Sequence, residues 1–264
     1  MRINQYLAKC SLGSRRKVES LVLGGLISVN GATVKDLFFQ VNEGKDIVTL
    51  GGKQVTAQSN VYYMLNKPKG VISAVSTKHG EQTVTDLIAD EASRIFPVGR
   101  LDKDSEGLIF LTNDGDFALK LTHPRYGKEK SYEAAINRKI SSKEQHALER
   151  GVGIGDGEVS APAQVRLLIY REGKHPVYLV TIKEGKNRQV RRMFEAIGAS
   201  VVSLKRVSEG GVSLSGLKAG EYRKLTKKEV ALLMSDAKPN TAKSQNSGEK
   251  KRKPANRQNK KKQP

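Results

Sequence analysis

From Val61 onward the apolar residues fall in short alternating runs, and the helical stretches between them do not recur at regular intervals. Alternation is the period of a pleated strand, whereas apolar residues three and four apart mark a helix face. Strand patterns occur at "VYYMLNK", Gly107 to Thr112, Tyr132 to Ile136, Val165 to Tyr170, Val177 to Lys183 and Val201 to Val207, with a further short strand expected after the Lys67-Pro68-Lys69-Gly70 turn. Helical patterns are fewer. They cover Thr83 to Ala89, a segment opened by Ser141 with Glu144 and stopped by Gly151, Asn187 to Ile197 ended by Gly198, and a last segment opened by Thr226 with Glu229. Ser or Thr with Glu three residues on is a capping box. Parallel strands would need a crossover helix after nearly every strand. No such rhythm is present, so the expected class is α+β with a mixed, largely antiparallel sheet.

The first 60 residues follow a different plan. Ile3, Tyr6, Leu7 and Cys10 recur at helical spacing; Ser14 can cap a second helix carrying Val18, Leu21 and Val22; and Gly24-Gly25 stops it. Two short strands then meet at Asn30-Gly31, a type I′ hairpin signal, and a later strand ends at Gly51-Gly52. Arg15, Arg16 and Lys17 open the second helix, where cations oppose the helix dipole, so contact with phosphate is the gain that accounts for them. The stretch "RINQYLAKCSLGSRRKVESLVLGGLISVNGATV" resembles the S4 RNA-binding domain. That resemblance implies recognition of structured RNA, with Arg15, Arg16 and Lys17 as the contact candidates.

Charge points the same way. Lys and Arg number 47 against 27 acids, a formal net charge of +20. Such an excess calls for a polyanionic partner. Residues 237 to 264 carry eight Lys and two Arg against Glu249 alone, with almost nothing apolar, and are expected to be a disordered basic tail that attracts phosphates. The division expected is therefore 1–60, 61–236 and 237–264. No apolar run approaches the roughly 18 residues of a spanning helix and the start lacks a signal-peptide pattern, so a cytoplasmic protein is expected. Cys10 is the only cysteine; neither a disulfide nor a thiolate zinc site can form within the chain, and a small core residue is expected there.

Known signatures exclude several classes. There is no Walker A sequence. "GVGIGDGEV" has spaced glycines but follows a helix and lacks the third glycine of a dinucleotide fingerprint, which makes it a loop. The four histidines share no ligand spacing with acids or cysteine, so no metal site is expected. "GRLDKDSEGLIFLTNDG" places Asp102, Asp104 and Glu106 at alternate positions before Gly107, close to a calcium-loop register. Its twelfth position is Asn113 where a bidentate Glu is needed, and Phe96-Pro97-Val98-Gly99 does not suit an entering helix. A solvated turn remains the plain alternative. The irregular approach at Pro97 and Gly99 could instead hold a carboxylate in a cleft. "TIKEGKNRQVRRMFEAIG" crowds Lys183, Lys186, Arg188, Arg191 and Arg192 at a strand end and a helix start, a place suited to phosphate or to keeping a carboxylate ionised. Arg188 and Arg191 are its substrate-binding candidates.

Taken with "NKPKG" and "KEKSYEA", these segments resemble the signatures of ribosomal RNA pseudouridine synthases of the RsuA/RluB family, which carry an N-terminal S4 domain. The match runs in order from residue 1 to about 234 and favours the large-subunit, RluB-like branch. What it implies is isomerisation of one uridine in ribosomal RNA or an assembling subunit, by a single chain without cofactor. By position, Asp102 would be the catalytic carboxylate, Arg100 would contact the RNA or fill the gap left by the everted base, and Tyr132 would pack on that base. Ile182 would line the pocket and Lys186 would pair with Asp102. Ser105 stands where some relatives have Thr. The competing possibilities are an inactive S4-containing ribosome factor, an S4-containing RNA methyltransferase and a glycosidase. The acid among cations argues against the first, the missing glycine-rich turn against the second, and the positive charge against the third.

Overall fold

The computed structural model describes residues 1–88, 93–214 and 216–236. The expected basic tail lies outside them. The N-terminal region comprises α1 (Ile3–Lys9), α2 (Arg15–Leu23), β1 (Ile27–Val29), β2 (Ala32–Thr33), β3 (Val48–Leu50) and β4 (Lys53–Gln54). The Ser14 hydroxyl accepts from the Lys17 backbone N–H and so caps α2. Asn30 and Gly31 have φ of 50° and 84°, the two left-handed residues that a type I′ turn demands. The four strands pair in the order β2-β1-β3-β4, all antiparallel, and Ile3, Leu7, Val18, Val22, Ile27 and Val48 close a core against the helices. Cys10 packs at its edge, half-buried, and burial pushes its thiol up to about 11.

The larger region runs β5 (Tyr62–Lys67), β6 (Phe96–Val98), β7 (Glu106–Thr112), α3 (Gly115–Thr122), β8 (Lys130–Ile136), α4 (Ser142–Arg150), β9 (Gln164–Ile169), β10 (Val177–Ile182), α5 (Gln189–Glu195), β11 (Val201–Glu209), β12 (Val212–Ser213), β13 (Tyr222–Lys224) and α6 (Lys227–Met234). Nine of these strands form one sheet in the order β13-β5-β7-β11-β8-β10-β9, with β6 beside β7 and β12 beside β11. Among these described strands only β7 and β11 pair in parallel. The sheet is covered on both faces, because β5 and β7 send alternate residues into separate cores: Tyr63, Leu65, Ile109 and Leu111 meet α4 and α5, while Met64, Leu108 and Phe110 meet α3 and α6. Both expected capping boxes, Ser141 with Glu144 and Thr226 with Glu229, are formed.

Two local expectations fail and a third shifts. Thr83 to Ile88 forms turns instead of a helix: the Thr83 N–H and hydroxyl both donate to the Asp86 carboxylate at 2.8 Å, and that local bonding competes with helix formation. Ala89 lies outside the described residues. After Gly70 there is no second strand, only a parallel bridge from Ile72 to Thr83. The helix expected from Asn187 begins at Gln189, because Arg188 adopts a left-handed backbone with φ 47° and ψ 30°.

Candidate active site

The loop from Gly99 to Ser105 joins β6 to β7, and it is held from below. Gly99 turns with φ 75°. Ser73 both receives the Leu101 N–H at 3.0 Å and donates to the Leu101 carbonyl at 2.8 Å, so Leu101 is drawn into the core and its neighbour Asp102 is turned outward. Asp102 is not lost to bulk water, since its side chain is only 31% exposed. It opens into a cleft of about 280 Å³ lined by Arg100, Tyr132, Ile182, Lys186, Arg188 and, at the floor, Arg206 and Glu209. β8, β10 and β11 deliver the last residues of this set from adjacent strands, which is why positions far apart in sequence converge.

The cation facing Asp102 is Arg188. Its guanidinium stands 3.6 Å from Asp102 and 3.5 Å from Asp104. A left-handed conformation at a non-glycine residue costs free energy and concentrates at working sites; here it aims Arg188 across the loop. This corrects the pairing expected for Lys186, whose ammonium donates to the Val159 carbonyl at 2.7 Å and lies 3.9 Å from Glu158. Lys186 lines the same cleft without bonding to Asp102. The reason is competition: the Val159 carbonyl and the Glu158 carboxylate lie within reach of its ammonium.

Arg191 is likewise not where a substrate contact requires it. It is buried, forms an ion pair with Asp104 at 2.9 Å and donates to the Val201 carbonyl at 3.1 Å. It fastens the Asp102 loop to α5. Lys67, which sequence patterning passed over, is fully buried at the end of β5 and donates to the Ser105 and Pro68 carbonyls at 2.9 and 3.0 Å. Burial holds its pKa down at about 8 despite the nearby carboxylates of Asp104, Glu106 and Asp102. A lysine closing an apolar strand just before proline was the available signal. Arg206, Glu209 and Lys130 were also missed, since nothing in an alternating strand says that its charges point inward.

Tyr132 is buried with its edge on the cleft, and burial raises its phenol pKa above the usual value. The phenol is therefore protonated at neutral pH. Arg15, Arg16 and Lys17 are exposed on the first turn of α2, outside this cleft. Arg15 lines a second, larger cleft of about 720 Å³ between the two regions, and Thr122 lines both. Among the described residues no group of His, Cys, Asp and Glu could hold a metal ion, and no helix is long and apolar enough to cross a membrane.

The chain was compared with known proteins. The model for the RNA pseudouridylate synthase family matches residues 61–196, and that for the S4 domain matches residues 1–47. Ribosomal large subunit pseudouridine synthase B of Bacillus subtilis is 42% identical over 88% of this chain and 95% of its own length. Dual-specificity RNA pseudouridine synthase RluF of Escherichia coli is 36% identical over 87% of this chain and 77% of its own. A crystal structure of a pseudouridylate synthase, 29% identical, superposes with a TM-score of 0.63 over 88% of this chain and 99% of the other. By the family model that covers residues 61–196 and by the 42% identical relative, the chain belongs to the RNA pseudouridylate synthase family.

Proposed function

We propose that the protein converts one uridine of large-subunit ribosomal RNA to pseudouridine, with Asp102 as the reacting carboxylate. The observation that carries this is the convergence of Asp102, Tyr132 and Ile182 on one cleft with a guanidinium 3.6 Å from the acid. Support for the large subunit comes from the name of the Bacillus subtilis relative. The reaction is an isomerisation: the N1–C1′ bond breaks, the uracil turns, C5 bonds to C1′, C5 gives up its proton and N1 gains one. Atoms and electrons balance within the nucleoside, so no oxidant or group donor enters. A carboxylate so placed can attack C1′ or draw the base off as a glycal. Arg188 stands 3.6 Å from that carboxylate, and its exposure keeps the attraction modest.

The target must leave its stack first, which costs a few kcal/mol. Tyr132 offers the everted base an aromatic surface, Ile182 an apolar floor, and Arg100, exposed at the rim, a cation for the vacated space or a phosphate. In this proposal residues 1–60 hold the RNA through Arg15, Arg16 and Lys17, residues 61–236 carry the chemistry, and a single chain suffices. The test is to map carbodiimide-stable adducts on ribosomal RNA from cells with and without the gene, and to repeat the complementation with Asp102→Asn. One adduct should vanish with the gene and stay absent with Asp102→Asn; an adduct restored by that variant would remove Asp102 from the chemistry.

A further inference from the structure

Arg206 and Glu209 stand three residues apart on β11, a spacing that sends side chains to opposite faces of a regular strand. Yet their guanidinium and carboxylate are 3.3 Å apart, and both side chains are buried. The pairing with β8 explains this. Arg206 pairs with Tyr132 but Ser208 pairs with Ser131, which leaves Val207 as an extra residue and brings Glu209 opposite Lys130. One inserted residue is a β-bulge, and such bulges re-aim side chains beside active sites. Tyr132, Lys130, Arg206 and Glu209 consequently share one face, and all four line the cleft that holds Asp102.

The arrangement is costly. Each buried charge loses several kcal/mol of hydration, and ion pairing returns it only with good geometry. Here Lys130 is 3.7 Å from Glu209, and neither Arg206 Nη2 nor Glu209 Oε2 has a hydrogen-bond partner among the described residues. Hydrophobic residues would make a more stable floor. What the charges do is anchor one group: Arg206 Nε donates to the Leu108 carbonyl at 2.7 Å, tying it to β7, while Arg206 stands directly across from Tyr132 on β8 and lines the same cleft. β7 follows directly from the Asp102 loop, so Arg206 links the acid's strand to the tyrosine.

We propose that Arg206, held in place by Glu209, is the positioning residue for Tyr132: it donates to the phenol oxygen, locks the ring at the cleft wall and directs the phenol's own proton toward the reacting nucleotide. This rests on Tyr132 contacting the target base, as proposed above. The experiment uses the full chain and a ribosomal RNA fragment carrying uridine tritiated at C5, whose release reports bond formation at C5. Under single-turnover conditions Glu209→Gln should slow release by about ten- to a hundredfold, the range expected of a slight misplacement, while RNA affinity changes by less than about twofold. Glu209→Gln combined with Tyr132→Phe should be no slower than the slower single variant, since both changes break one link. A merely structural role would give multiplying effects. Multiplication, or a Glu209→Gln rate within about twofold of the parent, overturns the proposal. If Glu209→Gln does not melt cooperatively, Arg206→Lys, which keeps the charge beside Glu209 and loses the fork toward the phenol, replaces it with the same expected and refuting outcomes. Asp102→Asn run alongside separates the two levels: its full activity would refute the assignment of the site, whereas an inactive Asp102→Asn with an unaffected Glu209→Gln refutes only the role of Arg206.

Discussion

Replacing Gly107 by alanine should cost more than any other one-carbon change in the larger sheet. Gly107 follows Glu106 in the parallel pairing of β7 with β11, standing opposite Arg206, and a Cβ there would stand 2.2 Å from the Arg206 carbonyl oxygen and 2.6 Å from its backbone nitrogen. Both obstacles are backbone, so no side-chain rotation relieves them. Overpacking of this kind costs about 1–3 kcal/mol, and the φ of 107° adds about 1–2 kcal/mol for an L-residue. For a region of this size each kcal/mol moves the melting temperature by about 2–4 °C, so Gly107→Ala should melt roughly 10 °C lower. Differential scanning calorimetry reads this well, because the N-terminal core of Ile3, Leu7 and Val22 does not include Gly107 and should keep its own transition. The strands could also part to admit the methyl group, and Asp102 and Tyr132 would then move apart with loss of isomerisation at preserved RNA binding. A variant that melts within about 2 °C of the parent at full activity would show that the close approach of β7 and β11 does not govern the site.

Arg188→Ala should slow isomerisation by about tenfold or more at neutral pH, and Lys186→Ala by distinctly less, because Arg188 stands within ion-pairing range of Asp102 and Lys186 pairs elsewhere. Single-turnover rates of the two variants decide it, and the reverse order would restore Lys186 as the partner. Lys67→Met should remove a pH dependence. The buried amine has a pKa near 8 when folded against 10.5 when unfolded, so between these values the unfolded chain binds more protons and stability rises with pH. The penalty is full below pH 8 and relieved by pH 10.5, on the order of 1.4 kcal/mol per pKa unit. Denaturant titrations at pH 7 and pH 10 should show the parent gaining on Lys67→Met by a few kcal/mol; parallel curves would mean that the fold leaves the Lys67 pKa at its ordinary value.

Features carried by neighbours along the chain were legible. The Ser141 and Thr226 capping boxes, the Asn30-Gly31 turn and the alternating strands need only residues a few positions apart, and they stand where local chemistry put them. The helix expected at Thr83 failed by the same locality, since the Asp86 carboxylate offered the backbone a nearer bond. Asp102, Tyr132 and Ile182 could be singled out from their motifs, but their meeting in one cleft depends on which strands lie side by side.

Amino-acid order by itself determined the class of partner, through a charge of +20, and the presence of an acid in an irregular loop and of a cation-rich helix start far along the chain. Only the tertiary structure decided which cation meets that acid: Arg188, with its left-handed backbone, stands 3.6 Å from Asp102, while Lys186 reaches Val159 and Glu158. The floor of the cleft is equally a product of folding. A one-residue bulge in β11, visible only against its partner strand, brings Arg206 and Glu209 to the same face. Charge and periodicity are sums over local sequence, whereas side-chain direction at a bulge or a reversed backbone depends on what packs against it.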